Sequence, residues 1–364
     1  MFRIVLKLLK EFLRIILHKR KIRQSYNLLK YRLSSKSEVL KYKPIYLTIL
    51  PIHRCNLSCK MCLTHSKEIQ DNIYRHKYFD DMTFEMFKDI SSYFSEALAV
   101  GFMGNGEPLL NKDIFQMINF AEEKGEMRTS MITNGLILEQ FIEKIISSSL
   151  NEISISINGH NGKEFSRMTG MPESHFQTIV AASKKLIERR DKLNSNLVIA
   201  ASIVIDRQNL KFLQQMIDFA DSIGFDHVSF YNILPLTKKR ALEMSVFDSS
   251  ETFEVFKKLK QPSSNITITL PIPLDSSSKN NICDDFFTSI NIGGDGNIGG
   301  CNRQRFNISN SGKYSDKNVW NNEYFQSERR KFLNGELELD EPCVVCSANS
   351  SYIRKSIESF VNKG

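Results

Sequence analysis

The sequence predicts an α/β fold in which six parallel strands alternate with helices and form an open, partial, TIM-like (β/α)6 barrel. Six apolar runs rich in β-branched residues indicate the strands; they occupy 45–52, 97–104, 127–135, 152–159, 197–206 and 227–234. Helix-like segments separate these runs, and this alternation is typical of right-handed β/α units. The chain has 364 residues and is 41% hydrophobic, so it can bury a sizeable core.

Helix-end signals support the same fold. Thr83 is a predicted N-cap, although Met86 stands where a capping box needs an acid or glutamine. Gly125 and Gly224 end two further helices, because glycine readily adopts the conformation that terminates a helix. Ligand sites in such folds gather at the carboxyl ends of the strands, so we expect the functional motifs there.

The composition divides the chain into four segments. A basic amphipathic arm covers 1–44, and the partial barrel covers 45–240. Ser- and Asn-rich sequence marks a linker at 241–280, and a small cysteine-bearing domain covers 281–364. In this last domain, Asp295-Gly296 lies between two short strands and predicts a β-hairpin.

The arm predicts a helix with one polar, basic stripe and an opposite apolar face. The stripe consists of Arg3, Lys7, Lys10, Arg14, His18 and Lys21. Residues 1–43 contain thirteen Lys and Arg and two acids, whereas the whole chain has a net charge of +8. The body is therefore slightly acidic, which is not typical of a nucleic-acid-binding face. Two interpretations remain open: the arm lies on the inner face of a membrane, or its apolar face packs on the body or on another subunit.

Seven cysteines occur in two sets, and their odd number favours metal ligation over a disulfide framework. They are Cys55, Cys59, Cys62, Cys283, Cys301, Cys343 and Cys346. Thiols of this kind indicate a reducing compartment, and we therefore expect a cytoplasmic protein.

Cys55, Cys59 and Cys62 follow the first strand with the spacing C-x3-C-x2-C. Thiolates select zinc, copper(I) or iron–sulfur clusters, and three of them cannot complete a four-coordinate site. His53 or His65 could supply a fourth ligand to zinc, which would suit a zinc-binding scaffold protein. Alternatively, an iron–sulfur cubane keeps one iron open to a small molecule.

Further motifs stand at the ends of the next predicted strands. "GNGEP" (104–108), "TNG" (133–135) and "SISING" (154–159) end the second, third and fourth strands, and "EFSRMTG" (164–170) follows. Together with the cysteine motif, they resemble the radical S-adenosylmethionine (SAM) superfamily over residues 45–235.

The resemblance implies a [4Fe-4S] cluster on the first three cysteines, with SAM bound to its open iron. It implies that one electron cleaves SAM to a 5′-deoxyadenosyl radical, which removes a hydrogen atom from the substrate. An electron donor such as flavodoxin or ferredoxin is therefore expected. The implied SAM contacts are Met61, Gly104, Asn105, Gly106, Glu107, Asn134, Ser156, Asn158 and Arg167. Among them, Glu107 would hold the ammonium group and Arg167 the carboxylate.

The second cysteine set, Cys283, Cys301, Cys343 and Cys346, resembles the SPASM or twitch extension of these enzymes. The segment "VWNNEYFQSERR" (319–330) is similar to the part that joins the hairpin to the last two cysteines. A full SPASM domain has about seven cysteines, so four favour the twitch form with one auxiliary [4Fe-4S] cluster. A structural zinc is the alternative.

If all seven cysteines are ligands, no free thiol can return a hydrogen atom to a substrate radical. This favours oxidation or cross-linking of a small molecule, such as a sugar or a lipid-linked sugar, over epimerisation. Maturation of a ribosomal peptide is the alternative. Only 44 residues precede the first strand, fewer than the leader-binding domain of many peptide modifiers needs.

Overall fold

The computed structural model describes residues 22–62, 64–67, 80–233, 250–262, 264, 266–270, 283–301 and 311–336. Most of the predicted basic helix lies outside the described residues, as do Cys343 and Cys346. The six predicted β/α strands and the predicted hairpin lie within them.

A sheet of nine strands forms the centre of the described part. The strands are β1 (Tyr46–Leu50), β2 (Ala99–Phe102), β3 (Arg128–Thr133), β4 (Glu152–Ser156), β5 (Val198–Ile205), β6 (His227–Asn232), β7 (Thr267–Thr269), β8 (Ser289–Gly293) and β9 (Ile298–Gly299). Their order is β7-β6-β5-β4-β3-β2-β1-β8-β9. All neighbouring pairs are parallel except β8 and β9. The predicted α/β class with a parallel, barrel-like sheet is confirmed.

Helices connect the parallel strands and cover one side of the sheet. They are α1 (Ile22–Leu33), α2 (Phe84–Tyr93), α3 (Ile114–Glu123), α4 (Ile142–Ser147), α5 (Gly162–Thr169), α6 (Glu173–Lys192), α7 (Leu213–Ile223), α8 (Ser250–Lys258), α9 (Asp285–Thr288) and α10 (Glu323–Asn334). The predicted cap is present, since Thr83 Oγ1 accepts from the Met86 N–H. Gly224 ends α7 with φ at +95°. None of the helices in the described ranges is both long and apolar enough to cross a membrane.

The two faces of the sheet differ sharply in chemistry. On the outer face, residues such as Leu47, Ile49 and Phe102 are completely buried against the helices. Side chains alternate along a strand, so the residues between them lie on the opposite, inner face. There the register aligns Thr48 of β1 with Gly101 of β2 and Asn291 of β8. The outer face of the sheet thus packs against an apolar core, whereas the inner face carries polar side chains such as Thr48 and Asn291.

The predicted hairpin at Asp295-Gly296 is present, and it joins β8 to β9 with Gly296 at φ +73°. The sequence did not indicate that β8 also pairs in parallel with β1, over Tyr46–Ser289 to Leu50–Gly293. This pairing extends the barrel sheet into the hairpin. The four predicted segments and their boundaries stay predictions.

Candidate active site

The cysteine loop follows β1 at the carboxyl edge of the sheet, as the motif predicted. Within the loop, the Cys62 N–H donates to the Cys59 carbonyl at 2.9 Å. The Lys60 N–H donates to the carbonyl of Thr169, the last residue of α5, at 2.8 Å. The loop is therefore fastened to the end of a helix that follows β4. Met61 lies half buried between the second and third cysteines.

Backbone N–H groups point at two of the three sulfurs. The Leu57 N–H lies 3.5 Å from Cys55 Sγ, and the N–H groups of Thr64 and His65 lie 3.4 and 3.3 Å from Cys62 Sγ. Donors of this kind favour a charged sulfur, and therefore a metal-bound thiolate.

The thiols also affect one another. Burial, with added repulsion from neighbouring thiolates, raises the pKa of Cys55 to about 11 and that of Cys59 to about 12. A cationic cluster would reverse this effect, because a bound metal deprotonates its thiols. In the described ranges, no group of three or more Cys, His, Asp or Glu side chains is arranged to hold a single metal ion. Three thiols on one loop nevertheless fit a [4Fe-4S] cluster in their chemistry, because thiolates are the ligands that iron–sulfur clusters prefer.

His65 has a role that the sequence did not reveal. Its Nε2 lies 2.9 Å from the His53 carbonyl and 2.7 Å from the Asn105 carbonyl. Both partners are acceptors, so Nε2 carries the proton and donates to them. His65 thereby joins the cysteine loop to the "GNGEP" segment, and only its Nδ1 remains for the zinc ligation considered as an alternative.

Glu107 is the buried acidic centre of the site, with 1% of its surface exposed. Its Oε1 accepts from the Thr133 hydroxyl at 2.7 Å and from the Leu109 N–H at 3.2 Å. Its Oε2 accepts from the Asn134 N–H at 2.7 Å. Burial raises the pKa of the carboxyl, while these donors oppose the rise. These three hydrogen bonds fix the carboxyl group at the junction of two strand ends.

Asn134 connects this acidic centre to the cysteine loop. Its side-chain Nδ2 donates to Asn56 Oδ1 at 2.7 Å and lies 3.7 Å from Cys55 Sγ. The structure thus brings together Cys55, Glu107 and Asn134, which the sequence predicted as separate contacts. Asn56 and Thr133 belong to the same network, although neither was among the implied SAM contacts.

The glycines of "GNGEP" allow the close approach of this segment to the end of β1. A Cβ on Gly106 would collide with the backbone carbonyls of Ile52 and Arg54. Gly104 has φ at +122°, a conformation that other residues rarely adopt. Between them, Asn105 is buried and its Nδ2 has no hydrogen-bond partner. A buried donor without a partner costs free energy, so this amide is poised for a ligand acceptor.

The predicted contacts that follow β4 are arranged differently. Ser156 lies at the end of β4 on the inner face. Asn158 has φ at +52°, and its Oδ1 accepts from the Val204 N–H at 3.0 Å. Its side-chain NH2 group is the part left to contact a ligand. Asn158 therefore also fixes the strand end that it belongs to.

Arg167 forms ion pairs with two carboxylates, and the sequence did not indicate these pairs. Its guanidinium donates to both oxygens of the buried Asp206, at 2.8 and 3.1 Å, and to Glu164 at 3.1 Å. Gln208 accepts a further bond at 3.2 Å. The predicted pairing of Arg167 with a SAM carboxylate would have to share the guanidinium with these partners.

Two of the four cysteines that were predicted to bind an auxiliary cluster lie within the described residues. Cys301 is buried and follows β9, and Cys283 packs against the core just before α9. They flank the hairpin on both sides. Their predicted partners Cys343 and Cys346 lie outside the described residues.

Comparison with known proteins agrees with this geometry. Residues 49–220 match the family model described as "Radical SAM superfamily". The fold and the cysteine loop agree with this match, so residues 49–220 are similar to a radical SAM domain. Members of this superfamily bind SAM and a [4Fe-4S] cluster.

The individual similarities are distant. A probable GTP 3′,8-cyclase of Pyrobaculum aerophilum is 27% identical over 174 residues, which are 47% of this chain and 52% of the cyclase. The PqqA peptide cyclase of Granulibacter bethesdensis is 27% identical over 50% of this chain and 45% of its own. The chain thus spans about half the length of these relatives. Streptococcus suis SuiB, solved bound to SAM, has a similar fold with a TM-score of 0.62, 17% identity and coverage of 90% of this chain and 75% of its own.

Proposed function

We propose that the chain binds a [4Fe-4S] cluster at Cys55, Cys59 and Cys62 and uses it to activate SAM. When bound, the cluster would supply the electron that cleaves SAM to a 5′-deoxyadenosyl radical. The observation that carries this proposal is the fixed, buried carboxylate of Glu107, connected through Asn134 to Cys55. A carboxylate at this position can bind the ammonium of SAM beside the open iron.

Other residues of this chain would orient SAM. The unpartnered Asn105 amide can donate to a carboxylate or hydroxyl of the ligand. His65 holds the Asn105 carbonyl and the cysteine loop at a fixed separation. Such fixed donors and acceptors lower the cost of reorganisation when the substrate reacts.

The inner face supports a neutral, hydroxyl-bearing small molecule as the substrate. Ser156, Ser202, Ser229 and Thr269 stand in direct register across β4 to β7, and we call them the hydroxyl row. Hydroxyls both donate and accept, so a row of them suits a polyol such as a sugar. A hydrogen atom would pass from a substrate carbon to the 5′ carbon of the deoxyadenosyl radical.

The same face does not favour a nucleoside triphosphate, although some relatives are named as GTP cyclases. Phosphates are bound mainly by Arg, Lys and backbone N–H groups. On the inner-face positions of the described strands, the single Lys or Arg is Arg128, at the opposite end of β3 from the site. Arg128 is already paired with Glu152 at 3.4 Å.

A peptide substrate is the second candidate. The observation that favours it is similarity to a protein named as a peptide cyclase and to the fold of SuiB, which was also solved with its precursor peptide. For either substrate, an auxiliary cluster on Cys283, Cys301, Cys343 and Cys346 would supply an electron acceptor for net oxidation. A flavodoxin or ferredoxin would reduce the first cluster.

Isotope transfer tests the function and the substrate class together. In anaerobic turnover with dithionite, deuterium from a carbon-deuterated sugar should appear in 5′-deoxyadenosine. The double variant Ser202→Ala/Ser229→Ala should lose this transfer while it still cleaves SAM slowly. Ser222→Ala, on the exposed side of α7, is the matched control. Deuterium transfer from labelled peptides and none from sugars would reject the polyol in favour of the peptide.

Replacement of Glu107 by glutamine tests the ammonium site. The glutamine NH2 group would point at one of the N–H or O–H groups that now donate to the carboxylate, so two donors would face each other. The negative charge would also be lost. We expect SAM to bind about 10- to 100-fold more weakly, as measured by anaerobic equilibrium dialysis. Thr133→Val keeps the charge and removes one bond, so its effect should be smaller. Unchanged affinity in Glu107→Gln would contradict the assignment.

A further inference from the structure

Helix α1 buries three polar side chains and exposes three large apolar ones. Gln24, Ser25 and Asn27 are at most 5% exposed, whereas Ile22 is 67% and Leu33 72% exposed. A surface helix normally buries its apolar stripe. Within the part of the chain that the structure describes, the side chains of Ile22 and Leu33 are therefore left largely uncovered.

The buried polar side chains fix the orientation of α1. Asn27 Nδ2 donates to the carbonyls of Lys43 and Glu96, at 3.1 and 3.3 Å, and Asn27 Oδ1 accepts from the Lys43 N–H at 2.8 Å. Gln24 Nε2 donates to the Gly125 carbonyl at 3.4 Å. These contacts would be lost if the helix rolled to bury its apolar side, so the outward orientation is built into the fold.

Four apolar residues of α1 form one continuous stripe, in which Ile22, Tyr26 and Leu33 are exposed and Leu29 is half-buried. Ile22, Tyr26, Leu29 and Leu33 are spaced by four, three and four residues, which places them within a sector of about 60° on a helix. Tyr26 is 57% exposed. Other large exposed apolar side chains in the described part, such as Leu193, lie singly in their elements. We call the four residues the α1 stripe.

Cations flank the α1 stripe. On a helical projection, Arg23 and Lys30 lie on one side of it and Arg32 on the other, and α1 contains no acid. The Lys30 ammonium lies 4.4 Å from the centre of the Tyr26 ring. An apolar stripe between basic borders is the pattern of a helix that lies in the interface of an anionic membrane.

An open cleft of about 540 Å³ adjoins the stripe, between α1 and the ends of α2 and α3. Arg23 and Lys124 line it and form no ion pair within the described part of the chain, and Lys88 also lines it. Ser91 and Glu126 are further lining residues, and Glu126 is the one acid among the lining residues. The cations outnumber the acid, so the cleft suits a phosphate group close to the stripe.

We propose that the α1 stripe and the adjoining cleft dock this protein on an anionic lipid bilayer. The stripe enters the headgroup–acyl boundary, and the cleft takes up a lipid phosphate. This surface lies within the predicted arm of residues 1–44, and it places the membrane contact on α1, the helix of the arm that the structure describes. The proposal is independent of the proposed catalytic function, because α1 contributes no residue to the candidate active site.

Fluorescence quenching by lipid tests the position of α1 in the full-length protein. Tyr26→Trp is mixed with vesicles of brominated phosphatidylcholine and phosphatidylglycerol. Trp320, the native tryptophan, is buried and gives the background, and Leu193→Trp at an exposed site on another element is the matched control. We expect quenching of Tyr26→Trp alone. Vesicle binding without quenching at Tyr26→Trp would show that another surface docks, and it would overturn the proposal.

Measurements of vesicle affinity then separate the apolar contribution of the α1 stripe from the ionic contribution of the cleft. Ile22→Ser/Leu33→Ser should weaken vesicle binding by about tenfold or more, at low and high salt. Arg23→Glu/Lys124→Glu should weaken it by at least about fivefold at low salt, and less at high salt. Lys192→Glu/Leu193→Ser should have no effect. If free inorganic phosphate protects the cleft from proteolysis but vesicles do not bind, or if Ile22→Ser/Leu33→Ser changes only the oligomeric state, the membrane proposal is wrong.

Discussion

Replacing Cys59 with alanine is expected to abolish formation of 5′-deoxyadenosine from SAM. Three thiolates leave one iron of a cubane open to SAM, and two thiolates cannot hold the cluster in this way. Cys59 also accepts the Cys62 N–H through its carbonyl, which the substitution preserves. The loop should therefore keep its backbone while it loses its iron, and iron content and product should fall together.

The matched control uses the second cysteine set. Cys343→Ala/Cys346→Ala should retain cleavage of SAM but lose the substrate-derived product. If Cys59→Ala still formed 5′-deoxyadenosine at the wild-type rate, the first cluster would have been assigned to the wrong residues. If the control variant formed the final product normally, the auxiliary cluster would have no catalytic role.

Replacing Arg329 with leucine is expected to lower the free energy of unfolding by about 3–5 kcal/mol. Arg329 in α10 is fully buried and donates to the carbonyls of Phe286, Trp320 and Glu38, at 2.9, 2.8 and 3.0 Å. It also lies 4.4 Å from the Trp320 ring centre. Leucine would leave these carbonyls buried without donors. Burial lowers the pKa of Arg329 to about 9, so the guanidinium remains charged at neutral pH.

Arg330 is the natural control for this experiment. It forms two bonds with the exposed Glu38 carboxylate, at 3.0 and 2.8 Å, and its own side chain is 51% exposed. Exposed pairs contribute about 0–1 kcal/mol, so Arg330→Leu should have little effect in urea unfolding. If Arg329→Leu and Arg330→Leu lowered the free energy of unfolding by the same amount, the buried contacts of Arg329 would not be the main source of its stabilising effect.

Arg329 also illustrates what the sequence could not show. The segment "VWNNEYFQSERR" was predicted to connect the hairpin with the last cysteines, but its contact with the chain near Glu38 depends on residues almost 300 positions apart. Leu40 N–H donates to Asn321 Oδ1, and Asn321 Nδ2 donates to the Leu40 carbonyl, both at 2.9 Å. Such long-range pairs leave no local pattern. The pairing of β8 with β1 escaped prediction for the same reason.

Features that depend on neighbouring residues, in contrast, were predicted correctly from the sequence. The six β/α strands, the Thr83 cap and the Asp295-Gly296 turn depend on neighbouring residues, and all three are present. In the site, spacing identified the cysteine loop and "GNGEP". It did not identify Asp206 or the contact of His65 with the Asn105 carbonyl, because both depend on residues that the fold alone brings together. The burial of polar side chains on α1 was also not predicted, because its apolar residues have ordinary helical spacing.

Binding of SAM to a cluster on the first cysteine set can be measured by electron paramagnetic resonance of the reduced, reconstituted protein. Cys283, Cys301, Cys343 and Cys346 are replaced by alanine, so that the only cluster observed is the one on the first cysteine set. We expect a [4Fe-4S] signal that changes when SAM is added, because SAM binds the open iron. We also expect that Glu107→Gln needs more SAM to produce the change. A zinc-loaded protein without iron, or a signal that saturating SAM leaves unchanged, would show that these cysteines do not hold a SAM-binding cluster.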